Sequence, residues 1–166
     1  MAQPHLFLDS SALFAGVVSS SGATRALLLL AEAGSICITI SEQVVTETEC
    51  AVTRKVSQAL PYYRQALRAT SLRIVRDPSP EEVAFHADII SHAADVPIVV
   101  ATMKAQVDTL VTFNRRHFID DASVAARSGL RIGTPGEGLA WVRERLAQET
   151  GMHTTPFNPP AGASLL

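Results

Sequence analysis

The chain lacks most features that mark secreted, disulfide-rich or membrane-spanning proteins. Only two cysteines occur in 166 residues, Cys37 and Cys50, and their spacing matches neither a CxxC motif nor a metal-binding pattern. A reduced, cytoplasmic protein is therefore expected. The longest apolar stretches, residues 26–31 and 96–103, are too short to cross a bilayer, and no secretion signal is recognisable. We therefore expect no membrane association.

The chain also lacks an excess of basic residues and several common catalytic motifs. Its formal net charge is −2, which argues against a protein that coats nucleic acid by bulk electrostatic attraction. No Gly-x-Ser-x-Gly elbow is present, and the five histidines show no HExxH spacing, so each histidine is expected to be structural or exposed. A phosphatase of the Asp-x-Asp type is disfavoured because Ser11 stands where the second Asp is needed.

What the sequence does contain is a regular alternation of strand and helix patterns in a chain of single-domain length. Hydrophobic residues make up 47% of the chain, which is typical of a globular protein. Strands separated by helical crossovers predict an α/β protein in which helices cover both faces of a mostly parallel sheet. The predicted strands cover residues 5–8, 35–40, 72–75, 109–112 and 130–132. The proline-rich tail, residues 150–166, is expected to be disordered.

Two aspartates stand where parallel sheets place functional groups. Asp9 follows the first strand directly, and Asp95 precedes the apolar run that begins at Val96. Sites in such sheets form beyond the carboxyl ends of the strands, near the point where the strand order reverses. Each aspartate could instead act only as a helix N-cap, and the two roles are compatible because a capping carboxylate keeps lone pairs for a metal.

Glu47 is the acidic residue of the next helix that its helical phase favours. At about 100° per residue it shares a face with Val44, Thr48 and Ala51. A carboxylate beside a buried stripe is costly unless a positive group meets it. The alternative is a glutamate at the edge of the stripe whose carboxylate reaches water.

Asn114 lies just past the predicted strand 109–112, at its carboxyl end. If that strand neighbours the first strand, residue 114 faces Asp9. Asp108 begins the same strand and should lie roughly 13 Å away at about 3.3 Å per residue, so we exclude it from the site. Converging carboxylates suit Mg²⁺ or Mn²⁺, which take oxygen ligands and can activate water for phosphodiester hydrolysis.

Taken together, these segments resemble the PIN-domain family of nucleases, in particular its VapC-like toxin branch. The matching segments are LFLDSSALFAG (6–16), SEQVVTETE (41–49) and DVPIVVATMKAQVDTLVTFNRRHF (95–118). The resemblance implies a three-layer α/β/α domain over residues 1–149, with a five-stranded central sheet. It also implies metal-ligand roles for Asp9, Glu47 and Asp95, with Ser11 and Thr112 supporting these acids.

The sequence departs from the family pattern at Asn114, where an aspartate is common. Asparagine can bind a metal or a metal-bound water through its neutral oxygen, with less charge attraction, and Asp120 or Asp121 could compensate if the loop folds back. Arg115, Arg116 and His117 could approach the phosphate backbone of RNA at the mouth of the site, or could instead only anchor the loop. The arginine pair could also lie on a solvated surface.

The resemblance implies a Mg²⁺- or Mn²⁺-dependent endoribonuclease, the toxin of a type II toxin–antitoxin pair, with an antitoxin partner and a homodimeric state. The alternative is a PIN-like domain with little or no cleavage activity that binds RNA or a protein partner.

Overall fold

The computed structural model describes residues 3–150 and contains a five-stranded parallel sheet surrounded by helices. The strands are β1 (His5–Leu8), β2 (Cys37–Ser41), β3 (Arg73–Val75), β4 (Thr109–Val111) and β5 (Ile132–Gly133). Their order in the sheet is β3-β2-β1-β4-β5, and every neighbouring pair is parallel. The predicted α/β fold class is confirmed. The predicted tail lies outside the described residues, apart from Thr150.

The eight helices alternate with these strands. They are α1 (Ser10–Val18), α2 (Ala23–Glu32), α3 (Glu42–Lys55), α4 (Leu60–Ala69), α5 (Pro80–Phe85), α6 (Val96–Ala105), α7 (Ala122–Ser128) and α8 (Pro135–Glu149). Helix α1 packs against α2 and α3, α8 packs against α2, and α5 packs against α6. Because crossovers between parallel strands are right-handed, the connections toward β3 and those toward β5 cover opposite faces of the sheet.

The central strands of the sheet are continuous apolar runs because they are buried on both faces. Leu6, Phe7 and Leu8 of β1 are fully buried, as expected for a central strand covered on both faces. Leu110 and Val111 of the neighbouring β4 are also fully buried. Strand β3 lies at the sheet edge, where Arg73 is exposed. Ile38 and Ile40 of β2 are buried as well, so the core is built on the three central strands β2, β1 and β4. The ends of β1 and β4 carry the predicted site.

The strand order reverses between β1 and β4. From β1 the chain adds β2 and β3 on one side, and then returns to add β4 and β5 on the other. Leu8 pairs with Val111, and the Asp9 N–H donates to the Val111 carbonyl at 3.2 Å. The residues that follow these two strands therefore enter the same crevice, as the sequence interpretation required.

The strand boundaries differ from the predicted ones by at most about two residues, and those of β1 agree. Strand β5 covers Ile132–Gly133, and α8 begins at Pro135, where Thr134 and Glu137 form a capping box. The segment after β4 forms a π-helical turn at Arg115–Ile119, which the sequence did not predict.

Within residues 3–150, no single helix has the length and apolar character needed to cross a membrane. Helices α1 and α2 meet that requirement only as a pair, with an 85° bend between them.

Candidate metal centre

Asp9 lies at the end of β1 and caps helix α1. Its Oδ1 accepts hydrogen bonds from the Ala12 N–H at 2.9 Å and from the Ser11 hydroxyl at 2.7 Å. Its Oδ2 accepts a short hydrogen bond from the Thr112 hydroxyl. The capping interpretation is therefore confirmed, and the same bonds fix the orientation of the carboxylate toward the end of β4.

Burial gives the Asp9 carboxyl unusual electrostatics. The side chain is almost completely buried, and this desolvation raises its pKa above the ordinary value of 3.8. Hydrogen bonds from Thr112, Ala12 and Ser11 oppose the rise in pKa, while the negative charge of Asp95 adds to it. Two acidic groups therefore repel each other across the crevice, and a bound cation would relieve that repulsion.

The residues after β4 are tied directly to the Asp9 carboxylate. The Thr112 hydroxyl that donates to Asp9 also accepts the Asn114 N–H at 2.9 Å. The Phe113 N–H donates to the Ser11 hydroxyl at 3.0 Å. Ser11 and Thr112 thus brace both oxygens of Asp9 and hold the start of the following turn against it.

Glu47 reaches the same crevice from helix α3. The Val44 and Thr48 side chains are fully buried, as the helical phase predicted, but Glu47 itself is exposed. Its Oε2 accepts from the Ser10 hydroxyl at 2.7 Å and its Oε1 from the Gln43 side-chain amide at 2.7 Å. The carboxylate is therefore a solvent-reaching group at the edge of the stripe.

Gln43 connects Glu47 to the segment that carries Asp95. Its side-chain amide donates to Glu47 and also, at 3.2 Å, to the Ala94 carbonyl. Ser10 on the other side of Glu47 adjoins Asp9 in the chain. Hydrogen bonds thus link Glu47 to the immediate neighbours of both predicted partner acids.

Asp95 does not act as a side-chain cap, in contrast to one of the two expected roles. It ends a short 3₁₀ turn, Ala93–Asp95, and its carboxylate makes no capping bond to α6. Its Oδ2 lies instead 2.8 Å from Nδ1 of His117 and 3.0 Å from Nδ1 of His92. The sequence analysis predicted neither of these two contacts. His92 lies three residues before Asp95 in the chain, whereas His117 comes from the turn after β4.

Asn114 is directed toward His117. Its Oδ1 accepts the His117 N–H at 3.3 Å, and its Nδ2 lies 3.0 Å from the His117 ring Nδ1. Asn114 is therefore joined to Asp9 through Thr112 and to Asp95 through His117. Hydrogen bonds thus connect Asp9, Glu47, Asp95 and Asn114, directly or through their neighbours, near the carboxyl ends of β1 and β4.

The other acids considered for the site are engaged elsewhere. Asp120 lies 3.7 Å from the Arg115 guanidinium, and Asp121 caps α7 through Ser123. Asp108 accepts the His5 N–H at 2.8 Å, at the amino-terminal end of β1 and thus at the end of the sheet opposite to Asp9. Neither Asp120 nor Asp121 replaces the charge that Asn114 lacks.

The donor set suits a hard divalent cation. Asp9, Glu47 and Asp95 supply carboxylate oxygens, and Asn114 supplies a neutral amide oxygen. Over residues 3–150, no lysine or arginine forms an ion pair with Asp9 or Glu47. Among these residues Asp9 and Glu47 therefore have no basic side chain as an ion-pair partner, whereas Asp95 contacts His92 and His117.

Comparison with known proteins rests on structure alone. No protein-family model and no curated protein sequence matches the chain. The chain is similar to the crystal structure of PAE2754 from Pyrobaculum aerophilum, with a TM-score of 0.60 and 14% identity over 86% of this chain and 97% of that one.

A second similar structure is that of VapBC2 from Rickettsia felis bound to a DNA fragment from their promoter. Its TM-score is 0.57 and its identity 19%, over 78% of this chain and 98% of that one. Identities this low establish a likeness of fold. With the parallel sheet and its strand order, they show that the chain has a PIN-like fold of the VapC type.

Proposed function

We propose that the protein is an endoribonuclease that hydrolyses RNA phosphodiester bonds with Mg²⁺ or Mn²⁺. The observation that carries the proposal is the convergence of Asp9, Glu47 and Asp95 on one crevice at the carboxyl ends of β1 and β4. Three acids from distant segments are costly to gather unless a cation balances them. The PIN-like fold is consistent with this chemistry.

In this mechanism each side chain has a distinct task. Asp9 and Asp95 would hold the ion, Glu47 would complete the acidic set from α3, and Asn114 would offer a neutral oxygen. When bound, the ion would supply activation of water and stabilisation of the charge that develops on the phosphoryl oxygens. Ser11 and Thr112 keep the Asp9 carboxylate oriented through their hydrogen bonds.

Binding of the RNA backbone is assigned to the turn after β4. Arg115 and Arg116 are exposed beside Asn114, at the mouth of the crevice. Arg115 is partly neutralised by Asp120, whereas Arg116 forms no ion pair within the described residues. Arg116 is therefore the better candidate for a phosphate contact.

We further propose that the protein acts in the cytoplasm as the toxin of a toxin–antitoxin pair, as a homodimer inhibited by an antitoxin. The likeness to VapBC2 of Rickettsia felis supports this role. Copurification with the product of an adjacent open reading frame would test it.

A second candidate is a PIN-like domain that binds RNA or a protein partner with little cleavage. Asn114 favours this second candidate, because a neutral amide at this position leaves the site with one negative charge fewer than a set of four acids would have. The Asn114 amide also contacts the His117 ring. Metal dependence separates the two functions, since binding alone does not require Mg²⁺.

The decisive experiment is cleavage of a labelled RNA by the purified full chain, with and without Mg²⁺ or Mn²⁺. We expect metal-dependent cleavage that Asp9→Asn and Asp95→Asn each abolish while the far-ultraviolet circular dichroism stays unchanged. Asp108→Asn, at the opposite end of the sheet, is the matched control and should retain activity. Activity like that of the wild type in both site variants would refute the assignment.

A further inference from the structure

A second group of ligating atoms lies beside the acidic crevice. It consists of one ring nitrogen of His92, a carboxylate oxygen of Asp95 and one ring nitrogen of His117, and these three ligand atoms lie within 4.8 Å of one another. His92 precedes the 3₁₀ turn, Asp95 ends it, and His117 belongs to the π-helical turn after β4. Two imidazoles and one carboxylate are brought together from segments about 20 residues apart by the neighbouring ends of these elements.

His117 contacts a second side chain beside Asp95. Its Nδ1 lies 2.8 Å from the Asp95 carboxylate and 3.0 Å from Nδ2 of Asn114. The Asn114 Oδ1 accepts the His117 backbone N–H, which fixes the amide against the same turn. The ring nitrogen of His117 is therefore held in place between a carboxylate and an amide.

The two imidazole rings are stacked beside the carboxylate. The ring centroids of His92 and His117 are 4.3 Å apart with an interplanar angle of 20°. Their Nδ1 atoms lie 3.0 Å and 2.8 Å from the same Asp95 oxygen. Two imidazole nitrogens, which are common metal ligands, are thus placed next to one carboxylate oxygen.

The donor types determine which ion would bind. Magnesium prefers oxygen ligands, whereas imidazole nitrogen suits Zn²⁺, Co²⁺ and Ni²⁺. A set of two histidines and one carboxylate is typical of zinc sites that leave one position open for water. His92 is half exposed, so an ion can reach the group from solvent.

We propose that His92, Asp95 and His117 form a transition-metal site, with Zn²⁺ as the ion class it favours. It is separate from the acidic set proposed for Mg²⁺ and shares only Asp95 with it. Binding of Zn²⁺ would withdraw the Asp95 carboxylate from the acidic set. Micromolar-range Zn²⁺ is therefore expected to inhibit cleavage that depends on Mg²⁺, as a consequence of the shared ligand.

The test is binding of Co²⁺, followed by visible absorption, and of Zn²⁺, followed by calorimetry, to the metal-stripped full chain without RNA. Wild type should bind one ion with the absorption of a nitrogen-ligated site. His92→Ala and His117→Ala should each weaken binding at least about tenfold, the lower end for losing a supporting group around a metal. His92 is exposed enough that its replacement should not disturb folding.

Two controls isolate the site. His86→Ala removes a histidine whose Nδ1 contacts the Glu82 carbonyl instead. Asp108→Asn removes an acid at the opposite end of the sheet. Both variants should bind Co²⁺ and Zn²⁺ as wild type does. Equal affinity in wild type, His92→Ala and His117→Ala would overturn the proposal, as would the absence of Co²⁺ binding by wild type.

The two proposals can fail separately. Co²⁺ binding that depends on the histidines, in a protein without RNA cleavage, would support the transition-metal site and refute the nuclease. Cleavage with Mg²⁺ in a protein that does not bind Co²⁺ or Zn²⁺ would support the nuclease and refute the transition-metal site.

Discussion

Replacement of Asp9 by asparagine should separate two effects of the buried charge: the destabilisation of the metal-free fold and the contribution to metal binding. Asparagine has nearly the same shape, and its Oδ1 can still accept from Ala12 and Ser11. Its amide can donate to the Thr112 hydroxyl, which reverses the direction of that bond. The main change is therefore the loss of one buried negative charge.

The pH dependence follows from the raised pKa of Asp9. A carboxyl whose folded-state pKa is raised stabilises the fold most below its ordinary value of 3.8, and this stability is lost as pH rises through the folded pKa. Without metal, wild type and Asp9→Asn should thus have similar free energies of unfolding near pH 3.8, the ordinary pKa of the group. The variant should be the more stable protein at pH 7.

Addition of metal should reverse this order. An ion that binds only the folded state stabilises it by about 2.7 kcal/mol when its free concentration is a hundredfold above Kd. For a chain of this size each kcal/mol raises Tm by about 2–4 °C, so wild type should gain roughly 5–11 °C. Asp9→Asn should gain little, because it lacks the central carboxylate.

The assay is thermal unfolding followed by circular dichroism, in chelator and in Mn²⁺, across a pH series. Asp108→Asn is the control and should respond to Mn²⁺ as wild type does. A metal-free wild type that is more stable than Asp9→Asn at pH 7 would contradict the assigned cost of the buried charge. An equal Mn²⁺ shift in both proteins would contradict the metal role of Asp9.

Further predictions concern helix packing, RNA contact and Asn114, the residue at which the sequence differs from the PIN-domain pattern. Gly138→Ala should destabilise the fold by about 1–3 kcal/mol in urea unfolding, because its Cβ would lie 2.9 Å from a Val111 methyl. The added Cβ of Gly136→Ala would have no neighbouring atom closer than 4.0 Å, so this variant should be neutral or stabilising by up to about 1 kcal/mol. A loss of stability in both variants would contradict the packing argument. Arg116→Ala should weaken RNA binding and reduce the salt slope by about 1, measured by fluorescence anisotropy in Ca²⁺, and an unchanged slope would exclude a phosphate contact. Asn114→Asp should raise Mn²⁺ affinity in calorimetry, and unchanged or weaker binding would count against its place in the site.

Much of the fold could be predicted because local and global signals agree. The buried runs of β1 and β4 and the Ser41 cap of α3 are visible as patterns in the sequence. Right-handed crossovers then limit the possible strand orders. The exact ends of β5 and α8 could not be predicted, since they depend on the capping box of Thr134 with Glu137 and on pairing with β4.

The site was predictable where chemistry follows directly from position along the chain. Asp9 comes straight after β1 and Asn114 lies shortly beyond the end of the adjacent β4, so their placement at one edge of the sheet follows from the strand order. The contacts of Asp95 were not predictable, because they depend on a 3₁₀ turn and a π-helical turn that bring His92 and His117 to it. A histidine just before an acid that opens a helix, together with a second histidine after β4, was the available signal.

The most direct test of the central claim is a crystal structure of the full chain soaked in Mn²⁺. The account predicts an anomalous peak in the crevice at the ends of β1 and β4, with carboxylate oxygens of Asp9 and Asp95 as ligands and Glu47 close by. A structure in which Mn²⁺ avoids this crevice, or in which these three carboxylates point to separate surroundings, would contradict it.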